Sequence, residues 1–283
     1  MSLAQFCFRG GVRHEILAAA SGYELWKDQF ETDHPLPLAY FDRTDRSFVV
    51  PLNSTLATRV LESISKDQPE LMLDAFVSLA NVIAPRVNRG TIRRRSPEAR
   101  LASRLFDYDP VVRDFLGPLA ATFYSDTREQ WQWNSRYWEQ VALMLLAKYL
   151  LEPSAEEGQD ALRQAVQHAR HAVAIEYHPL SLTTLGRVLI AQLGQEGMSR
   201  EATYDEAFER LSHSIELERS WTPPSVHPFV TLFRGTRDYL ALSGKLTERQ
   251  AEAVRGFVTE AQQLFARDPD IAESITQMRP YLH

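Results

Sequence analysis

Apolar residues recur at three- and four-residue spacing along most of the chain, the period of amphipathic helices. Residues 12–20 and 23–30 read as short helices joined by Ser21-Gly22. The period then breaks. Aromatic and β-branched runs at 38–41 and 47–50 flank the polar stretch 42–46, a pattern that predicts a small β-hairpin over 38–50. Asn53 or Ser54 can cap a helix running to about Lys66. Pro69 opens another, carrying Leu71, Leu73, Phe76, Leu79 and Val82. Ser96-Pro97-Glu98 has the cap, first-turn proline and early acid of a helix start. Short helices are expected at 111–116 and 119–123. Longer ones follow at about 132–151, 158–176, 180–194, 203–218, 228–243, 246–266 and 269–278, with no strand after residue 60.

The later helices carry an internal repeat. His178-Pro179 is followed by Gly186, and His227-Pro228 by Gly235, the two units lying 49 residues apart. A helix with small-large-small spacing accompanies each: Ala207, Leu211, Ser214 in one and Val254, Val258, Ala261 in the next. An earlier unit has Ala165, Ala169 and Ala172. Small residues let two helices approach closely, as in the second helix of tetratricopeptide repeats (TPRs). The spacing, 42–49 residues, exceeds that of a regular TPR, with the surplus in loops such as 194–204. The expected fold is therefore mainly α. An N-terminal helical region with its small hairpin, 1–125, precedes a TPR-like helical-hairpin array, 126–283.

Charge adds an asymmetry. The 283 residues carry a formal net charge of -6, and all of it falls in residues 151–283, which hold 13 basic and 19 acidic side chains. Such a chain is not a basic nucleic-acid coat. Only Lys27, Lys66, Lys148 and Lys245 are lysines among 31 basic residues, a bias that genome composition can produce. The lone Cys7 excludes a disulfide framework and suits a reducing cytoplasm. No apolar run is long enough to span a membrane, and the charged residues near the N-terminus do not read as a signal peptide. Met1-Ser2-Leu3 reads as an expression leader, and the chain as a piece of something larger.

No P-loop, nucleophile elbow, zincin or dinucleotide-binding pattern is present, so no catalytic residue, cofactor or metal is expected. His168 and His171 share a helix face but lie among packing alanines. Arg163-x4-His168 and Arg9-x4-His14 fit the loose motif of HEPN-type ribonucleases, no more often than this composition produces by chance. Arg86, Arg89, Arg93, Arg94, Arg95 and Arg100 form a basic connector whose guanidiniums suit phosphates or carboxylates. The expected partners are the chain's own acids, Asp107 and Asp109 among them; docking of a neighbouring domain or binding of an external anion are the alternatives. Trp131, Trp133 and Trp138 form an aromatic cluster that either anchors a helix, each indole N–H finding a partner, or offers a stacking platform.

Three stretches, 12–18 (VRHEILA), 91–109 (TIRRRSPEARLASRLFDYD) and 133–140 (WNSRYWEQ), together resemble the region C-terminal to the NTPase core in bacterial STAND-type ATPases, several of which serve anti-phage defence. The resemblance implies a sensor array adjoining an NTPase domain, without the P-loop itself, and a winged-helix-like role for the hairpin. The expected function is non-enzymatic protein or peptide binding in the cytoplasm, through Arg187, Gln192, Arg237 and Asp238 on the first helix of each pair. The alternatives are phosphate or nucleic-acid binding through 86–100, and a HEPN-like ribonuclease.

Overall fold

A computed structural model describes residues 12–21, 41–45, 48–51, 54–93, 95–242 and 244–281, which are mainly helical. The chain divides into two compact units, Met1–Trp133 and Asn134–His283.

In the first unit, β1 (Val12–Arg13) runs into α1 (His14–Ser21). β2 (Phe41–Asp45) and β1 both pair antiparallel with β3 (Phe48–Pro51), Val49 lying opposite Val12 and Pro51 opposite Phe41. The helix expected from residue 12 therefore starts at His14, because Val12 and Arg13 are taken into the ladder. The helix expected at 23–30, residues 38–40 and 46–47 of the expected hairpin, and Cys7 and Arg9 lie outside the described residues.

α2 (Ser54–Asp67) is followed by α3 (Pro69–Ile83), the hub of the unit. Pro69 suits the first turn, where an N–H has no helical acceptor. Met72, Leu73, Phe76, Leu79, Ala80 and Ile83 are buried at helical spacing; Leu71, expected on this face, is exposed. Around α3 pack α1, α2, α5 (Pro97–Leu105), α6 (Arg113–Leu116) and α7 (Ala120–Trp131). A short α4 (Arg89–Arg93) precedes α5, and a π turn at Tyr108–Val112 leads into α6. Phe123 joins the elements: its ring lies 5.4 Å from Phe76, edge-on, and 5.2 Å from Phe106, stacked. Phe106 in turn meets Trp131 at 4.7 Å, and the Tyr124 hydroxyl donates to the Phe106 carbonyl. The junction expected at 125–126 falls within α7.

The second unit consists of α8 (Ser135–Leu151), α9 (Glu156–Ile175), α10 (Pro179–Ala191), α11 (Arg200–Glu218), α12 (His227–Ala241), α13 (Glu248–Leu264) and α14 (Pro269–Met278). α8 packs on α9, α10 on α11, and α12 on α13. Alternate helices also meet in series: α8 against α10, α10 against α12, and α12 against α14. Ala161, Leu162, Ala165, Ala169 and Ala172 of α9 are buried, the small side chains admitting α8 closely.

Contacts between the stretches 159–177 and 195–213, which contain most of α9 and α11, keep a fixed register. Gln195 Nε2 donates to Gln159 Oε1 at 2.6 Å, Arg170 pairs with Glu206 at 2.7 Å, and the Tyr177 hydroxyl meets His213 Nδ1 at 2.7 Å. Each spans 36 residues. A constant offset means that the two stretches run parallel, so α10 between them runs the other way. Arg219, just past α11, reaches Glu260 on α13 with both Nε and Nη2 at 2.8 Å.

Candidate functional site

The four residues expected to form a binding face have different fates. Arg187 is exposed on α10. Gln192 is buried, because the chain tightens there into a 3-10 turn, Gln192–Gly194, whose Leu193 packs with Tyr204 and Tyr239. It is not part of an open surface. Arg237 and Asp238 are half-buried and paired with each other at 2.6 Å, and Arg237 also donates to Gln277 on α14.

An exposed arginine that the repeat alignment missed is Arg234 on α12, 3.4 Å from Asp270. Aligning Gly186 with Gly235 pairs Arg187 with Thr236, which is fully buried. The two glycines do different jobs. A Cβ on Gly186 would lie 2.5 Å from Leu211 Cγ of α11, whereas one on Gly235 would lie 2.2 Å from Ile190 Cδ1 of α10. One glycine admits the helix that follows it, and the other admits the preceding first helix. α12 is therefore turned about its axis relative to α10, and Arg234, rather than its neighbours on the other side of the glycine, reaches the surface.

Buried polar groups tie the first helices together. Glu139 of α8, 2% exposed, accepts from the Ser181 hydroxyl of α10 at 2.5 Å and from Arg136 at 2.9 Å. The rings of Tyr204 and Tyr239 stack at 4.0 Å, and the Tyr204 hydroxyl shares a 2.8 Å bond with Thr236. Burial pushes the Tyr204 phenol well above its ordinary pKa, against the smaller opposing effect of the Thr236 bond.

The aromatic cluster is divided. Trp131 and Trp133 stack at 6.4 Å in the first unit, whereas Trp138 belongs to the second, flanked by His168 and His171 at 4.9 Å each. Trp131 is fully buried and its indole N–H has no partner among the described residues, contrary to the expectation that it would find one. The histidine pair thus packs on an indole. No cluster of metal-ligating side chains occurs among the described residues, and Arg163 of the HEPN-like motif pairs with Asp160.

The connector holds a different arrangement. Asn88 Oδ1 accepts from the N–H groups of Gly90 and Thr91, and Ser96 Oγ accepts from Ala99, so side-chain caps shape both α4 and α5. Arg86 bonds Glu15 at 3.1 Å, as internal pairing predicts. Of the other expected acids, Asp107 pairs with Arg104 and Asp109 with Arg113. Internal neutralisation therefore fails for Arg89, Arg95 and Arg100, which are exposed and whose side chains have no hydrogen bond or ion pair among the described residues. Arg94 and the Arg93 side chain lie outside the described residues. Glu98, the one acid of this stretch, is buried.

No family model, characterised protein or solved structure matches the chain.

Proposed function

We propose that the second unit is a TPR-like array that binds a protein or peptide without catalysing a reaction. The observation that carries this reading is the combination of serially packed first helices with the parallel, fixed-offset register of α9 and α11. Helix pairs packed in series offer a continuous surface suited to an extended ligand, with α12 rotated relative to α10. Arg187 on α10 and Arg234 on α12 are exposed cations of first helices. By its resemblance to the region following a STAND-type NTPase core, the array would act as the sensor of a larger signalling or defence protein, in the cytoplasm. The small paired segments near 38–50 would then lie at the junction with the NTPase domain.

The test places a photo-crosslinking side chain at Arg187 or Arg234, and, as a control, at Arg163 on α9. The proposal expects one partner protein captured at 187 and 234 and absent at 163. Equal capture at all three positions, or none at 187 and 234, refutes it.

A further inference from the structure

We propose that Arg89, Arg95 and Arg100 of the first unit bind the phosphodiester backbone of single-stranded nucleic acid, independently of base sequence. Several exposed arginines elsewhere in the chain are matched with acids, Arg113 with Asp109, Arg163 with Asp160, Arg170 with Glu206 and Arg219 with Glu260. Arg249, Arg255 and Arg267 are exposed without such a partner among the described residues but stand among the acids of the net-negative second unit. Here three exposed guanidiniums fall within one short capped segment and none has a partner among the described residues. Glu98, the one acid between residues 86 and 106, is buried and already engaged. Like charges gathered without counter-charge repel one another, and a polyanion removes that repulsion. Arg95 also holds a left-handed backbone, φ 52°, which glycine or asparagine adopts more easily; an arginine stands there instead.

The chemistry narrows the ligand. A planar guanidinium matches the paired oxygens of a phosphate. Ile92 is the one large apolar side chain exposed between 86 and 103 among the described residues, too little surface to insert into a lipid bilayer. α4, five residues long, is too short to read a duplex groove, and three cations on one segment reach a single strand. The chain's net charge of -6 confines the attraction to this patch.

The experiment is fluorescence anisotropy of the full chain with a fluorescein-labelled oligothymidylate across a salt series. Three phosphate contacts predict a slope of log K against log salt of about -2. R89Q/R95Q/R100Q should weaken binding roughly tenfold at low salt and flatten the slope. R89Q/R100Q, which leaves the Arg95 turn intact, should give an intermediate loss. R249Q/R255Q/R267Q removes the same charge from exposed positions of the second unit and should change binding by less than about twofold. No binding at low salt overturns the proposal. So does an equal loss in the control variant, displacement of the oligonucleotide by polyglutamate at matched charge, or arginine-dependent binding to phosphatidylserine vesicles without binding to the oligonucleotide. Crosslinking at Arg187 and Arg234 probes the second unit alone, so the two proposals fail separately.

Discussion

Replacing Gly186 by alanine sets two effects of known sign against each other. In the interior of α10, alanine favours the helix over glycine by about 1 kcal/mol. The added methyl would lie 2.5 Å from Leu211 Cγ, 2.7 Å from Cδ2 and 3.0 Å from Cδ1. All three are inside van der Waals contact, and Leu211 is 1% exposed, so it has no room to withdraw. Overpacking of this kind costs about 1–3 kcal/mol. The net expectation is a destabilisation of up to about 2 kcal/mol. Gly256 on α13 supplies the reference, since a methyl added there would meet nothing within 4 Å; Gly256→Ala should stabilise by about 0.5–1 kcal/mol. Leu211→Ala alone should cost about 2–5 kcal/mol. In the double variant the new methyl enters the space that the leucine vacates, so G186A/L211A should be no less stable than L211A. The coupling should reach about 1 kcal/mol or more. Urea unfolding monitored by circular dichroism measures all four species. If Gly186→Ala stabilises as much as Gly256→Ala, or if the cycle closes without coupling, the close approach of α10 and α11 at this point is wrong.

Other expectations follow from the same packing. Arg136→Ala, which strands the buried Glu139 carboxylate, should destabilise more than Glu139→Gln, by about 1–3 kcal/mol in urea melts; equal effects would remove the case for a paired charge. The Tyr204 phenol has its pKa raised by folding, so the unfolded chain ionises first as pH rises past about 10. The stability linked to this group is complete below that pH and is lost progressively above it. Tyr204→Phe should therefore shift the alkaline unfolding midpoint upward, and an unchanged midpoint counts against burial as the cause. A double-mutant cycle on Arg219 and Glu260, a solvent-exposed but two-pronged pair, should return a coupling of about 0.5–1 kcal/mol that fades at high salt.

The second unit's helices were legible because their burial follows the helical period: the alanines of α9 and the Ala207–Leu211–Ser214 stripe of α11 are buried as expected. Caps were legible for the same reason, Ser96 and Pro97 acting locally. α7 was cut short because its second half, residues 124–131, is largely polar, and only contact with α3 and Phe106 marks its inner face. α4 has no apolar period; Asn88 and Thr91 create it by side-chain bonds to the backbone. Gln192 defeated the reading because its burial depends on a 3-10 turn beyond the regular helix. Arg234 was missed because a one-dimensional alignment cannot register the rotation of α12. The tryptophans were grouped by sequence proximity, and the boundary at 133–134 runs through the group.

The side chains that bridge α9 and α11 also bear on mechanics. The apolar cluster of Leu146, Leu162, Val166, Leu185, Val188 and Leu189 draws on α8, α9 and α10, whereas the outer edges of the stretches 159–177 and 195–213 are linked at exposed positions by Arg170–Glu206 and Tyr177–His213. A dry interface resists separation in proportion to the apolar area that opening would expose, but an ion pair in water can lengthen, hydrate and re-form at little cost. Within the second unit, then, the apolar interior is stiff and the exposed ties are compliant. A force that spreads or squeezes this unit flexes it about its apolar interior, with the arginine and tyrosine links acting as extensible ties.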